Sequence, residues 1–183
     1  MPIYSPPITP KQFQKAMIFI DGTNLFCRLV DHKIILNTSL ANIVSQFVDG
    51  RQIIRMYLYT NGYKLDEAKK VHGNYITDGI RIVFGEGIPL KDGNIKEKGV
   101  DALLVADLVY HAAVKNYDYA LLVSTDTDFV HALRRVEDFG CTTGVLGLCS
   151  ELPERLSNAA DQSKILTKED LINNNWVKCK PIN

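Results

Sequence analysis

Four aspartates stand where the pattern of the chain changes. Asp21 ends the apolar run Met17-Ile18-Phe19-Ile20, and Asp126 and Asp128 flank Thr127 just beyond the run Tyr119 to Val123. Asp101 opens a long segment rich in Ala and Leu. If the two apolar runs are neighbouring strands, all four carboxylates meet at one edge. Like charges a few ångströms apart repel, and at least one of the acids must then hold its proton more tightly than usual. A hard divalent cation removes that repulsion. Mg²⁺ takes oxygen ligands, keeps several waters, and is commonly held by one or two carboxylates plus substrate phosphate. The expected centre is therefore a Mg²⁺ or Mn²⁺ site that acts on phosphate, with Asp21, Asp101, Asp126 and Asp128 as ligands. Capping is the competing explanation for Asp101 and Asp128, because helix N-termini welcome acids. It explains Asp21 and Asp126 least, since strand ends place them.

Such a site needs a scaffold, and the rest of the chain describes one. Short apolar or β-branched runs predict strands at 17–20, 52–59, 80–84, 119–123, 141–146 and 163–166. Apolar residues at helical spacing predict helices over 23–31, 38–49, 64–76, 100–114, 127–139, 151–159 and 168–174. Residues 91–98 read as a charged loop. Strand and helix alternate, so the expected fold class is α/β: a three-layer α/β/α sandwich with a mainly parallel central sheet. Ligands of such sheets bind beyond the carboxyl ends of the strands, where strand order reverses.

Composition sets the outer limits. The 183 residues suit one domain, and a 46% apolar fraction supports a real core. Residues 1–16 read as a loose leader with four prolines, 17–175 as the single domain and 176–183 as a tail. The 21 basic and 21 acidic residues cancel, so no global field draws the chain to nucleic acid or to anionic lipid. Cys27, Cys141, Cys149 and Cys179 form no C-x-x-C pair, which weakens a zinc reading and favours reduced thiols. No apolar run approaches the roughly 20 residues that span a bilayer. The expectation is a soluble, cytoplasmic protein with no membrane partner.

The motifs around the acids resemble a known family. Ile18-Phe19-Ile20-Asp21-Gly22-Thr23-Asn24-Leu25 is similar to the opening strand and turn of NYN domains, a branch of the PIN-like nucleases. Lys98-Gly99-Val100-Asp101, Leu122 to Phe129, and Leu156-Ser157-Asn158-Ala159-Ala160-Asp161 resemble its later motifs, in the family's order. One departure is Thr23, where many relatives carry an acid. The resemblance implies a Rossmann-like sandwich and a metal-dependent endoribonuclease with RNA as its partner. The four aspartates would hold one or two ions for in-line hydrolysis of a phosphodiester, leaving a 5′-phosphate and a 3′-hydroxyl. Two ions about 4 Å apart can clamp both reacting oxygens.

Supporting roles carry alternatives. Asn24 either orients Asp21, a water or a phosphate, or caps a helix. Ser124 and Thr125 either donate to phosphate or cap the next helix. Lys98 is expected to bring positive charge to the rim, whereas Lys91 and Lys96 read as a solvated loop. Lys64, Lys69, Lys70 and His72 read as a solvated helix face. Asp107 and His111, four residues apart, suit a local polar contact better than a metal. Asp161 is an outer-shell acid or a cap. Tyr57, Tyr59, Tyr63 and Tyr75 offer stacking surfaces or packing.

Two other functions compete. A non-catalytic RNA- or protein-binding module would keep the fold, but it gains little from clustered acids. A phosphatase of the haloacid-dehalogenase type needs an Asp-x-Asp pair after the first strand. Here Gly22 and Thr23 follow Asp21, and the Asp126-Thr127-Asp128 pair comes far too late.

Overall fold

A computed structural model describes residues 10–89 and 95–178, leaving aside the side chains of 86–98. Six parallel strands form the central sheet: β1 (Lys15–Asp21), β2 (Gln52–Thr60), β3 (Arg81–Phe84), β6 (Tyr119–Val123), β7 (Thr142–Leu148) and β8 (Gln162–Leu166). Their order is β3-β2-β1-β6-β7-β8. The chain moves outward from β1 in one direction, then returns to β1's other side and moves outward again. The reversal falls between β1 and β6, which pair in parallel from Ala16↔Tyr119 to Ile20↔Val123. Their carboxyl ends therefore lie side by side, with Asp21 at one of them.

Two apolar clusters sandwich this sheet. On one face, α1 (Gly22–Asp31), α2 (Leu40–Val44), α3 (Gly62–His72) and α7 (Lys168–Asn173) pack on alternate strand residues such as Ile18, Ile20 and Leu58. On the other, α4 (Val100–Ala113), α5 (Val130–Asp138) and α6 (Glu154–Ser157) cover Phe19, Tyr57, Tyr59 and Leu122. The strand periodicity of two sends neighbours to opposite faces, and both faces are covered, so strand segments such as 17–20 are apolar throughout. The expected three-layer α/β/α sandwich is the fold observed. Among the described residues, no helix is long and apolar enough to cross a membrane.

Several boundaries differ from expectation. The strand expected from residue 17 starts at Lys15, so the last two positions of the expected leader belong to the sheet. The helix expected over 64–76 stops at His72. Gly73 adopts φ +99°, and a Cβ there would press against the Tyr75 ring at 2.5 Å. The expected helix over 38–49 becomes α2 and a 3-10 turn, Ser45–Phe47. Residues 95–98, expected in a charged loop, form β5 (Ile95–Lys98), which pairs antiparallel with β4 (Glu86–Pro89). A small ribbon of this kind shows no apolar alternation, so composition hid it. Lys91 lies outside the described residues. The expected tail is tied down at its start: Val177 bridges Leu36, and Trp176 and Val177 pack on the core.

The segment at Leu36 depends on a neutral imidazole. His72 is buried, and its Nδ1 accepts the Leu36 N–H at 3.2 Å. Tyr75 donates to the Leu36 carbonyl at 3.0 Å. The expected basic face of α3 thus loses His72 to the core. Burial pushes the His72 pKa down. A depressed histidine stabilises the fold above its unfolded pKa of about 6.5, and that stability is lost as pH falls below it. Denaturation midpoints measured from pH 7.5 to 5.5 should fall for the wild type. The slope should be shallower for His72→Gln, which keeps an acceptor but does not titrate.

Candidate active site

Asp21 is both the last residue of β1 and the N-cap of α1. It is only 3% exposed, an unusual place for a carboxylate. Two donors compensate. The Asn24 N–H donates to Oδ1 at 3.0 Å, and the Ser124 hydroxyl donates to Oδ2 at 2.9 Å. Ser124 Oγ in turn accepts the Asp126 N–H at 3.1 Å. One hydroxyl thus links the acid that ends β1 to the backbone of the acid that follows β6.

Asn24 makes a second link. Its Oδ1 accepts the Thr125 N–H at 3.3 Å, and the Thr125 hydroxyl lies 3.1 Å from Nδ2 and 3.2 Å from Oδ1. The amide therefore clamps the first turn of α1 to the turn after β6. Gly22 lets α1 approach this closely, since a Cβ there would meet the Tyr59 carbonyl oxygen at 2.8 Å. Leu25, Phe26 and Leu29 seat the helix in the core.

Asp21, Asp101 and Asp126 line one cavity of about 300 Å³, together with Thr23, Asn24, Cys27 and Arg28. Asp101 lies in the first turn of α4, which follows Gly99 in the left-handed region at φ +84°. Burial is the main cause raising the Asp21 pKa. The bonds from Asn24 and Ser124 oppose it, while the charges of Asp101 and Asp126 add to it. The cavity thus concentrates negative charge on oxygen donors, which suits a hard divalent cation. Among the described residues, no three acidic, histidine or cysteine side chains are already gathered closely enough to hold an ion. The three acids share a cavity without forming a closed cage.

The other expected site residues are sorted by this geometry. Asp128 is exposed and is not among the cavity-lining residues; its N–H donates to Asp126 Oδ1 at 2.9 Å, as in a capped turn. The Ser124 and Thr125 hydroxyls, expected either to donate to phosphate or to cap the next helix, are committed to Asp21 and Asn24. Lys98 ends β5 just before Gly99, and its side chain lies outside the described residues. Asp161 stands near the opposite, amino edge of the sheet, where its carboxylate accepts the Thr143 N–H at 2.6 Å. It ties the segment before β8 to the start of β7, is neither a helix cap nor an outer-shell acid, and is not among the cavity-lining residues. Asp107 accepts from the Tyr59 hydroxyl at 2.9 Å, and His111 Nε2 lies 3.4 Å from the Tyr57 hydroxyl. Both tyrosines are buried and packed, so neither offers a base-stacking surface. Cys27 and Arg28 escaped the sequence reading. Their positions three and four residues after Asn24 put them on the same face of α1, and that spacing was the available signal.

Fold and cavity together define a doubly wound parallel α/β domain with an acidic centre at its switch point. The NYN domain model matches residues 15–167, and the chain belongs to that family. NYN domains are generally nucleases of the PIN-like fold. A crystal structure of a protein of unknown function from Vibrio parahaemolyticus RIMD 2210633 is similar in fold. It shares 16% identity and a TM-score of 0.69, over 93% of this chain and 100% of that one. No curated protein matches.

Replacing Asn24 by Ala removes the clamp while retaining a good helix former. Unfolding free energy measured in urea should fall by about 1–3 kcal/mol, because Thr125 loses its partners at a largely buried position.

Proposed function

We propose that this protein is a metal-dependent endoribonuclease that hydrolyses RNA phosphodiester bonds at the Asp21–Asp101–Asp126 cavity. The observation that carries the reading is Asp21 itself. A carboxylate 3% exposed, with two further acids on the same cavity, is costly in the absence of a compensating cation. Asp21, Asp101 and Asp126 would hold Mg²⁺ or Mn²⁺, with Asp128 supporting Asp126 through their shared turn. Such an ion neutralises phosphoryl charge and makes water acidic enough to attack near neutral pH.

The chain's own residues supply position. Ser124 fixes the rotamer of Asp21 and the Asp126 backbone together. Asn24 holds the two strand ends in register. Arg28 lies on the cavity wall and is the cation among its described lining residues, placed to attract a phosphate otherwise repelled by three acids. Precise placement of this kind can account for several kcal/mol of a barrier. The fold and acids also fit a non-catalytic binding module, but the clustering of acids favours an ion-dependent reaction.

The test is cleavage of labelled single-stranded RNA with Mg²⁺ or Mn²⁺ by the wild type and by Asp126→Asn. Asparagine keeps the N-cap, so the melting temperature should change little. Cleavage should fall about 100-fold or more, and chelator should abolish it in the wild type. Equal RNA survival with both proteins would favour the binding module. In a parallel melting series, Mn²⁺ should raise the midpoint of the wild type more than that of Asp126→Asn.

A further inference from the structure

Tyr57 and Tyr59 share one face of β2, and α4 packs on that face. The Tyr59 hydroxyl donates to Asp107 Oδ2 at 2.9 Å, and the Tyr57 hydroxyl lies 3.4 Å from His111 Nε2. Two residues along a strand cover about 6.6 Å and four along a helix about 6 Å, so the two contacts fit side by side. Their order shows that α4 runs antiparallel to β2. Its first turn, with Asp101, therefore lies toward the carboxyl end of the sheet. Asp101 precedes Asp107 by six residues, which puts it about 9 Å nearer that edge.

Val100, Leu104, Leu108 and Ala112 seat α4 through apolar contacts, which have no preferred direction. The Tyr59–Asp107 bond is directional, and its donor is firmly held. Tyr59 is fully buried, and its ring packs against Phe19 and Tyr57 at centroid distances of 6.5 and 6.0 Å. Its backbone is the register partner of Asp21, and its carbonyl oxygen is the atom that a Cβ on Gly22 would strike. Burial and the Asp107 carboxylate push its pKa up, so the hydroxyl keeps its proton and goes on donating. One residue thus pairs with the strand end that carries Asp21 and holds the helix that carries Asp101. We infer that Tyr59 and Asp107 are positioning residues, whose bond sets where Asp101 stands relative to Asp21 across the cavity. The consequence for metal binding rests on the proposed reading of that cavity; the geometry does not.

Mn²⁺ affinity, read by calorimetric titration well below the melting temperature, separates placement from charge. Tyr59→Phe removes the bond and leaves every charge in place, and affinity should fall about tenfold. Asp107→Asn removes a charge and keeps an oxygen acceptor, and affinity should stay within about twofold of the wild type. The loss should also depend on Asp101. In an Asp101→Asn background, Tyr59→Phe should cost no more than about a further twofold. Undiminished affinity in Tyr59→Phe, or the same loss with and without Asp101, would overturn the inference and leave the bond a purely structural one. Crystals of the metal-free wild type and Tyr59→Phe decide the geometry separately. Superposed on the central sheet, they should show Asp101 displaced, and coincident positions would overturn the inference. A wild type that binds no Mn²⁺ while the displacement is seen would instead sink the reading of the acidic cavity.

Discussion

The arrangement depends on holding the Asp21 carboxylate, almost out of water, beside two other acids. Left alone it would take up a proton or swing away. It does neither freely, because one oxygen is held by the first turn of its own helix and the other by Ser124. These bonds favour the ionised form, while burial and the charges of Asp101 and Asp126 oppose it. A raised carboxyl pKa means that the ionised state weakens the fold as pH climbs through it. A divalent ion in the cavity would reverse that sign. The cavity is thus a place where stability has been given up locally, as often happens where function resides.

The fold makes this placement reproducible. At the switch between β1 and β6, helices leave adjacent parallel strands toward opposite faces, opening a crevice between them. α1 leaves β1 toward one cluster, and α5 follows β6 on the other. The Asn24–Thr125 clamp and the Ser124 bridge then tie the two departures together across the crevice. Gly22 permits the close approach, and the apolar face of α1 holds it. Core packing, cap and clamp therefore act on the same few atoms.

Much of this was legible in the sequence. Unbroken apolar runs at 17–20 and 119–123 announced strands covered on both faces, and the acids that ended or followed them announced a sheet edge. What remained hidden was hidden for physical reasons. The sequence of β4 and β5, Glu-Gly-Ile-Pro and Ile-Lys-Glu-Lys, has too few apolar residues to announce a strand. The hydroxyls of Ser124 and Thr125 look alike whether they face a phosphate or a neighbour, and only the fold shows them turned inward. Asp161 sat in a matching motif, but distance along the chain does not reveal which edge of a sheet a residue reaches. Asp128 looked equal to Asp126, yet a turn of three residues sends its side chain outward. Arg28 and Cys27 carried a signal that would have required laying α1 on a helical grid and following Asn24's face.

The ranking that follows places Asp21 and Asp126 at the centre, Asp101 on the facing wall and Asp128 in support. Diffraction from crystals soaked in Mn²⁺, with data collected at a wavelength that excites the metal, tests it at atomic scale. The account predicts an anomalous peak between Asp21 and Asp126, with oxygens of both carboxylates or their bound waters around it at about 2.1 Å. An empty cavity in crystals that hold Mn²⁺ elsewhere, or a peak that avoids both aspartates, would contradict it.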